Sequence, residues 1–283
     1  MIYIILLIIS IICTLIYISN NCLAIRKYNI KNKKIPDKFD GLKIIHISDV
    51  HSKIFGNNNE KVIQKVNKIN PDIVIMSGDI IDKREKDIDK FINMYKEIYL
   101  KYPVYYSIGN HERKLGYFKY KEYIEKLKEL GVHVIINGKE KILKDDEEII
   151  INALKFRENM QPKKLTLDRK NKYINYMYNK LKNIDNTKFN ILIAHDPENF
   201  KLYKELDIDL VFSGHVHGGL IRFGKYCLLS PRRKFFPKYS YGKTQEGATT
   251  IITSSGMGNA SIPIRMFNRP EIVEVILNKE EVS

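Results

Sequence analysis

The sequence predicts an α/β protein: one domain of two sheets with helices outside them, preceded by an apolar N-terminal segment. Three observations carry this. Short apolar runs alternate with segments of helical periodicity, which is the pattern of a buried sheet covered by helices. Residue types that bind metals recur where those runs end. The first 25 residues contain no Lys, Arg, Asp or Glu, although the 283-residue chain carries 48 basic and 33 acidic residues and a net charge of +15.

The elements follow in order. Residues 2–19 (IYIILLIISIICTLIYIS) form an uncharged run of about 27 Å as a helix, close to a bilayer's hydrocarbon thickness. A cleaved signal peptide would need a cationic start and a small-residue cleavage site. Neither is present, so residues 1–25 read as an uncleaved single-pass anchor in the cell membrane. Arg26, Lys27, Lys31, Lys33 and Lys34 follow the span, and by the positive-inside rule they place the soluble part on the cytoplasmic side. Residues 26–40 read as a basic linker, and residues 41–283 as the domain.

Within the domain, 42–48, 72–78, 104–110 and 132–137 read as strands. Helical spacing lies between them at 60–70, 87–100 and 120–131. Residues 141–154 read as a hairpin around Asp145 and Asp146, and 167–183 as a helix. Strands at 189–195 and 208–215 bracket a short helix. The tail is β-rich, with strands at 220–223, 248–255 and 271–277.

Composition narrows the function. Charged residues make up 29% and hydrophobic residues 44%, which excludes disordered, collagenous and coiled-coil classes. Three cysteines without a CxxC pair support neither a disulfide framework nor a thiolate zinc site. Excess positive charge concentrates in 26–43, 155–188 and 225–243. It is either background composition or an attraction for anionic surfaces and substrates.

The chemistry lies at the strand ends. Asp49 and His51 follow the first strand and Asp79 the second. Asn110 and His111 end the third. His195 ends the 189–195 run, and His215 and His217 follow the 208–215 strand. Side chains at the carboxyl edge of a sheet sit where open α/β folds bind ligands. Gly78, Gly109 and Gly214 precede three of these groups and permit tight turns and close approach. The set mixes nitrogen and oxygen donors without thiolate, which suits two divalent or trivalent ions such as Mn, Fe or Zn. A bridging carboxylate can hold two such ions about 3.5–4 Å apart and clamp a phosphoryl group.

The ordered set D-x-H, G-D-x-x-D, G-N-H-E, H and G-H-x-H resembles the calcineurin-like metallophosphoesterase signature. Here it reads Asp49-Val-His51, Gly78-Asp79-Ile-Ile-Asp82, Gly109-Asn110-His111-Glu112, His195 and Gly214-His215-Val-His217, within 41–278. The resemblance implies a four-layer α-β-β-α sandwich of two mixed sheets. It implies that Asp49, His51 and His217 hold one metal, that Asn110, His195 and His215 hold the other, and that Asp79 bridges them. His111 would act as general acid or transition-state donor with Asp82 orienting its ring, while a metal-bridging hydroxide attacks phosphorus. Phosphatase members often carry Arg directly after the second Asp of G-D-x-x-D. Here that position is Lys83, with Arg84 next, and the two are candidate substrate contacts.

The segments FDGLKIIHISDVHSKIFG and SSGMGNASIPIRMFNRPEIVEV, with the anchor, are similar to a membrane-anchored bacterial branch. It includes phosphodiesterase-like proteins and UDP-diacylglucosamine pyrophosphatases. This implies hydrolysis of a phosphodiester or pyrophosphate bond, with a lipid-linked substrate among the options. The alternatives are a phosphomonoesterase, a nuclease or an inactive scaffold. No protein partner is expected, and nucleic acid is disfavoured by the anchor. Residues 155–188 read either as a packed helix with solvated lysines or as a cover reaching toward the bilayer. Arg232, Arg233, Lys234, Phe235, Phe236 and Lys238 mix cations with aromatics, which suits either a nucleic-acid surface or a loop beside G-H-V-H that gathers an anionic substrate. Gly256-Met257-Gly258 fails as a dinucleotide fingerprint, because no helix pattern follows it. His46 and His133 read as core histidines.

Overall fold

The structure is a computed structural model of the whole chain. The description covers residues 1–156, 167–181, 184–224, 226–231, 234–259 and 265–281.

Two six-stranded mixed sheets stack face to face. The first has the order β1 (Ala24–Asn32), β14 (Glu271–Lys279), β2 (Lys43–Ile47), β3 (Ile73–Met76), β4 (Val104–Tyr106), β5 (His133–Val134). β2 to β5 run parallel, β14 runs antiparallel to β2, and β1 pairs parallel with β14. The second has the order β12 (Gly242–Glu246), β13 (Thr249–Thr253), β9 (Leu210–Ser213), β8 (Asn190–Ala194), β7 (Glu147–Leu154), β6 (Asn137–Lys144). Its four central strands are parallel and both edges antiparallel.

The layers follow from the side chains. Ile44, Ile75 and Val275 of the first sheet meet Ile151, Ile193 and Phe212 of the second in one buried cluster. The first sheet's other face carries α2 (Glu60–Ile69), α3 (Ile88–Asn93), α4 (Lys96–Lys101) and α5 (Tyr117–Glu129), through Val62, Phe91, Ile98 and Tyr123. α6 (Leu167–Leu181) and α7 (Phe200–Tyr203) cover the second sheet through Met177, Leu181 and Phe200. All four residues of β3 and all five of β8 are buried, as strands covered on both faces must be. This is the expected α-β-β-α sandwich.

Several elements differ from expectation. The segment read as a linker over 26–40 begins with strand, because Ala24–Asn32 pairs along its whole length with β14. Tyr28 and Ile30 face the core while Lys27, Asn29 and Lys31 face solvent, an alternation hidden among cations. The 87–100 helix is two short helices separated at Met94 and Tyr95. Two strands went unread, β11 (Tyr226–Leu229) and β12; β11 forms a hairpin with β10 (Ile221–Phe223). His46 is buried, but His133 is exposed on β5 and pairs with Glu140 at 2.7 Å. Much of the cationic 155–188 segment, including 157–166 with Leu165 and the Tyr173 side chain, lies outside the described residues, as do Arg232 and Arg233.

α1 (Ile2–Asn21) is long and apolar enough to cross a bilayer. Its residues are largely exposed until Ser19 and Asn20, which are buried against the loop before β14.

Candidate metal centre

Five parallel strands deliver their carboxyl ends to one edge of the sandwich. β2, β3 and β4 do so from the first sheet, and β8 and β9 from the second. The connections turn sharply. Asp49, His51, Asp79, His215 and His217 all adopt the left-handed backbone region, with φ between 48° and 69°. That conformation costs a non-glycine residue about 1–3 kcal/mol and tends to mark functional sites. Neighbouring glycines allow the approach. A Cβ on Gly214 would lie 2.0 Å from Asp49 Oδ2, and one on Gly109 would lie 2.2 Å from Asp79 Oδ1.

Three candidate clusters result, one of them His51, Asp82 and His111 at the rim. Asp49, His51 and His217 bring one donor atom each within 4.8 Å of one another, and so do Asp79, His195 and His215. Asp79 Oδ2 lies 3.1 Å from His195 Nε2 in its own cluster and 3.9 Å from His51 Nε2 in the cluster with Asp49 and His217. Asn110 lines the same cleft. The candidate ligands are held from behind. The His215 amide donates to both Asp49 oxygens at 2.9 Å, and Ser48 Oγ donates to Oδ2 at 2.6 Å. The His111 amide donates to Asp79 Oδ1 at 2.7 Å. His195 Nδ1 meets the Ser77 carbonyl at 2.8 Å, which turns Nε2 toward the cleft.

These residues fit a pair of metal ions. Asn110 Oδ1 is buried without a hydrogen-bond partner, and His195 Nε2 faces only the Asp79 carboxylate, at 3.1 Å. Buried polar atoms rarely stay unpaired. Burial opposes ionisation of Asp49 and Asp79, yet the surrounding imidazoles hold both carboxyls well below their usual range. Burial likewise works against protonation of His51 and His195. The neighbouring carboxylates outweigh it and push them up to about 10 and about 9. Two buried carboxylates ringed by imidazoles are a nitrogen and oxygen donor set suited to divalent ions.

His111 sits on the rim. Its Nδ1 lies 3.2 Å from Asp82 Oδ2, 3.3 Å from the Lys83 amide and 3.3 Å from His51 Nδ1. Lys83 and Arg84 line the cleft, which encloses about 270 Å³. Arg84 folds onto Asp82, with Nε 2.8 Å from Oδ1.

Sequence reasoning missed the supports. Glu112, quoted only as part of G-N-H-E, accepts from the Asp79, Ile80 and Gly109 amides and from Tyr106 Oη. Gly256 and Gly258 press against Asp49 and Val50, where a Cβ would lie 2.5 Å from Asp49 Cβ and 2.1 Å from the Val50 carbonyl. Asn268 Nδ2 donates to the His217 carbonyl at 2.7 Å. The small-residue run around Gly256 was the only local signal.

Residues 42–219 match the family model described as calcineurin-like phosphoesterase. The chain belongs to this family. The phosphoesterase is 31% identical over 268 residues to an uncharacterized metallophosphoesterase of Campylobacter jejuni, covering 93% of this chain and 66% of that one. It is 28% identical over 262 residues to one of Aquifex aeolicus, covering 90% and 92%. A Danio rerio relative described as a transmembrane protein with a metallophosphoesterase domain is 24% identical, over 87% of this chain and 55% of its own. Family and clusters together make the chain a metal-dependent phosphoesterase.

Proposed function

We propose that this phosphoesterase is a two-metal phosphodiesterase or pyrophosphatase anchored in a membrane by α1, with its domain on the cytoplasmic side. The observation that carries the two-metal reading is Asp79, which belongs to the cluster with His195 and His215 and whose Oδ2 also lies 3.9 Å from His51 Nε2 of the cluster with Asp49 and His217. Asp49, His51 and His217 hold one ion, Asn110, His195 and His215 the other, and Asp79 is shared. When bound, the ions supply Lewis acidity toward phosphoryl oxygens and lower the pKa of water.

The chain's own residues do the rest. Asp82 orients the His111 ring across 3.2 Å, and His111 Nε2 delivers a proton to the leaving oxygen. Lys83 attracts the substrate's charge at the rim. The preference for a diester or pyrophosphate rests on the cations. Lys83 stands where a guanidinium fork could grip a terminal phosphate, Arg84 turns back to bond Asp82, and among the described residues no other arginine lines the cleft. The membrane reading draws on α1, on the transmembrane description of the Danio rerio relative and on the cations after the helix. A lipid-linked substrate is in keeping with that location.

The test uses the full chain in detergent, stripped of metal and resupplied with Mn²⁺. Turnover of bis-p-nitrophenyl phosphate is expected to exceed that of p-nitrophenyl phosphate. Asp79→Asn is expected to lose metal affinity and turnover together by at least about 10²-fold, since even outer-shell changes cost 10–100-fold. Turnover of the monoester alone would make the protein a phosphomonoesterase. A fully active Asp79→Asn variant would overturn the two-metal reading.

A further inference from the structure

The end of α1 is built into the domain beside the catalytic cleft. Ser19 Oγ accepts from the Phe267 amide at 3.1 Å. Asn20 exchanges hydrogen bonds with the backbone of Arg265, and Arg269 Nε donates to the Cys22 carbonyl at 2.9 Å. Only Cys22 and Leu23 separate the helix from β1. The domain therefore has no slack with which to stand off from whatever surface α1 enters.

The loop that grips α1 also carries an aromatic rim. Phe267 packs on Phe223 with ring centroids 4.9 Å apart. Phe223 is the cross-strand partner of Tyr226 at the tip of the β10–β11 hairpin. Phe235 and Phe236 follow, paired back to the same hairpin through Leu229 and Leu228. All five rings are exposed, from 42% at Phe267 to 75% at Phe235. Segment 225–243 holds six cations and no acid in sequence. The catalytic cleft is one side chain away: Lys53 Nζ donates to the Asn20 carbonyl and lies 3.4 Å from Oδ1 of Asn259, which lines the cleft.

We propose that this rim seats in the headgroup layer of an anionic bilayer and holds the cleft at the level of the lipid phosphates. The proposal rests on the reading of α1 as a membrane anchor. A helix of 20 residues is about 30 Å long, so its polar end at Ser19–Asn21 lies where hydrocarbon gives way to headgroups. Phe267, bonded to Ser19, is fixed at that depth, and Phe223 with it. Aromatic rings favour this zone, and a segment that carries six cations in sequence is drawn to anionic lipid. The bilayer is the occupant that continuity with α1 selects.

The chain contains no Trp, so one introduced Trp reports alone. Full-length Ile8→Trp, Phe223→Trp, Phe267→Trp and Leu143→Trp are reconstituted separately into phosphatidylglycerol–phosphatidylcholine vesicles. The lipids are brominated high on the acyl chains. Leu143 is exposed near the β6–β7 turn, at the edge opposite the metal centre. The expected result is loss of most emission at positions 8, 223 and 267, and none at 143. Quenching at 8 with full emission at both 223 and 267 would overturn the docking face and leave the anchor standing. Full emission at 8 would overturn the anchor reading, and the docking face with it.

Discussion

Glu112 shows how one carboxylate shapes a centre it does not enter. It is fully buried and gathers four donors at 2.6–3.0 Å, three backbone amides from the connections after β3 and β4 and Tyr106 Oη at the end of β4. Burial raises its pKa, and the charge of Asp79 raises it further. Glu112→Gln keeps the volume but turns an amide NH₂ toward backbone donors. The expected cost is about 2–3 kcal/mol in chemical denaturation, the scale of an unsatisfied buried group. Metal affinity is expected to fall by about 10–100-fold in a titration. Gly214→Ala is expected to act differently. Its Cβ would strike Ser48 Oγ and Asp49 Oδ2, displacing a ligand oxygen. Metal titration should then show the cluster of Asp49, His51 and His217 weakened before that of Asp79, His195 and His215.

At the scale of elements, β1 separates what can be removed from what cannot. Deleting residues 1–18 removes exposed apolar surface and leaves the Ser19 and Asn20 contacts and the nine β1–β14 register pairs intact. Deleting 1–32 strips β14 of its neighbour and removes Ile30 from the core. The shorter deletion is expected to stay folded in gel filtration and circular dichroism, and the longer one to aggregate through the open edge. Glu246 on β12 gives an acid-side test. Hydrogen bonds from Lys204, Lys238 and Tyr239 hold its pKa at about 2, below the ordinary 4.5. A depressed carboxyl adds stability above its unfolded pKa and loses it as pH falls through the folded one. The melting-temperature gap between wild type and Glu246→Gln should be full above pH 4.5 and close toward pH 2.

The same scale explains what the sequence could reveal. Strand-end motifs are local, so Asp49-Val-His51 and Gly214-His215-Val-His217 were readable, as were the glycines that let them turn. β1 was not, because its outward residues are the cations that suggested a linker. Nor were the props behind the ligands: Asn268 lies 51 residues from His217, and no short pattern encodes that contact.

For the whole molecule, the centre joins the two sheets at one edge, so its loading bears on global stability. Asp49 and Asp79 leave different strands of the first sheet, while His195, His215 and His217 come from the second. Chelation is expected to lower the melting temperature of the full chain. Mn²⁺ at about 100 times its Kd should restore about 2.7 kcal/mol of stability if it binds only the folded state. A melt unchanged by chelator would mean that the sandwich closes without ions.

The two-residue connection between α1 and β1 reaches beyond stability. On the anchored reading, the domain turns and drifts only as its helix does. Encounters with a lipid-borne substrate then happen in a plane. The number that sets their frequency is molecules per unit area, not moles per litre. Diluting a vesicle suspension tenfold should leave turnover per enzyme unchanged, while diluting the substrate within the lipid tenfold should slow it.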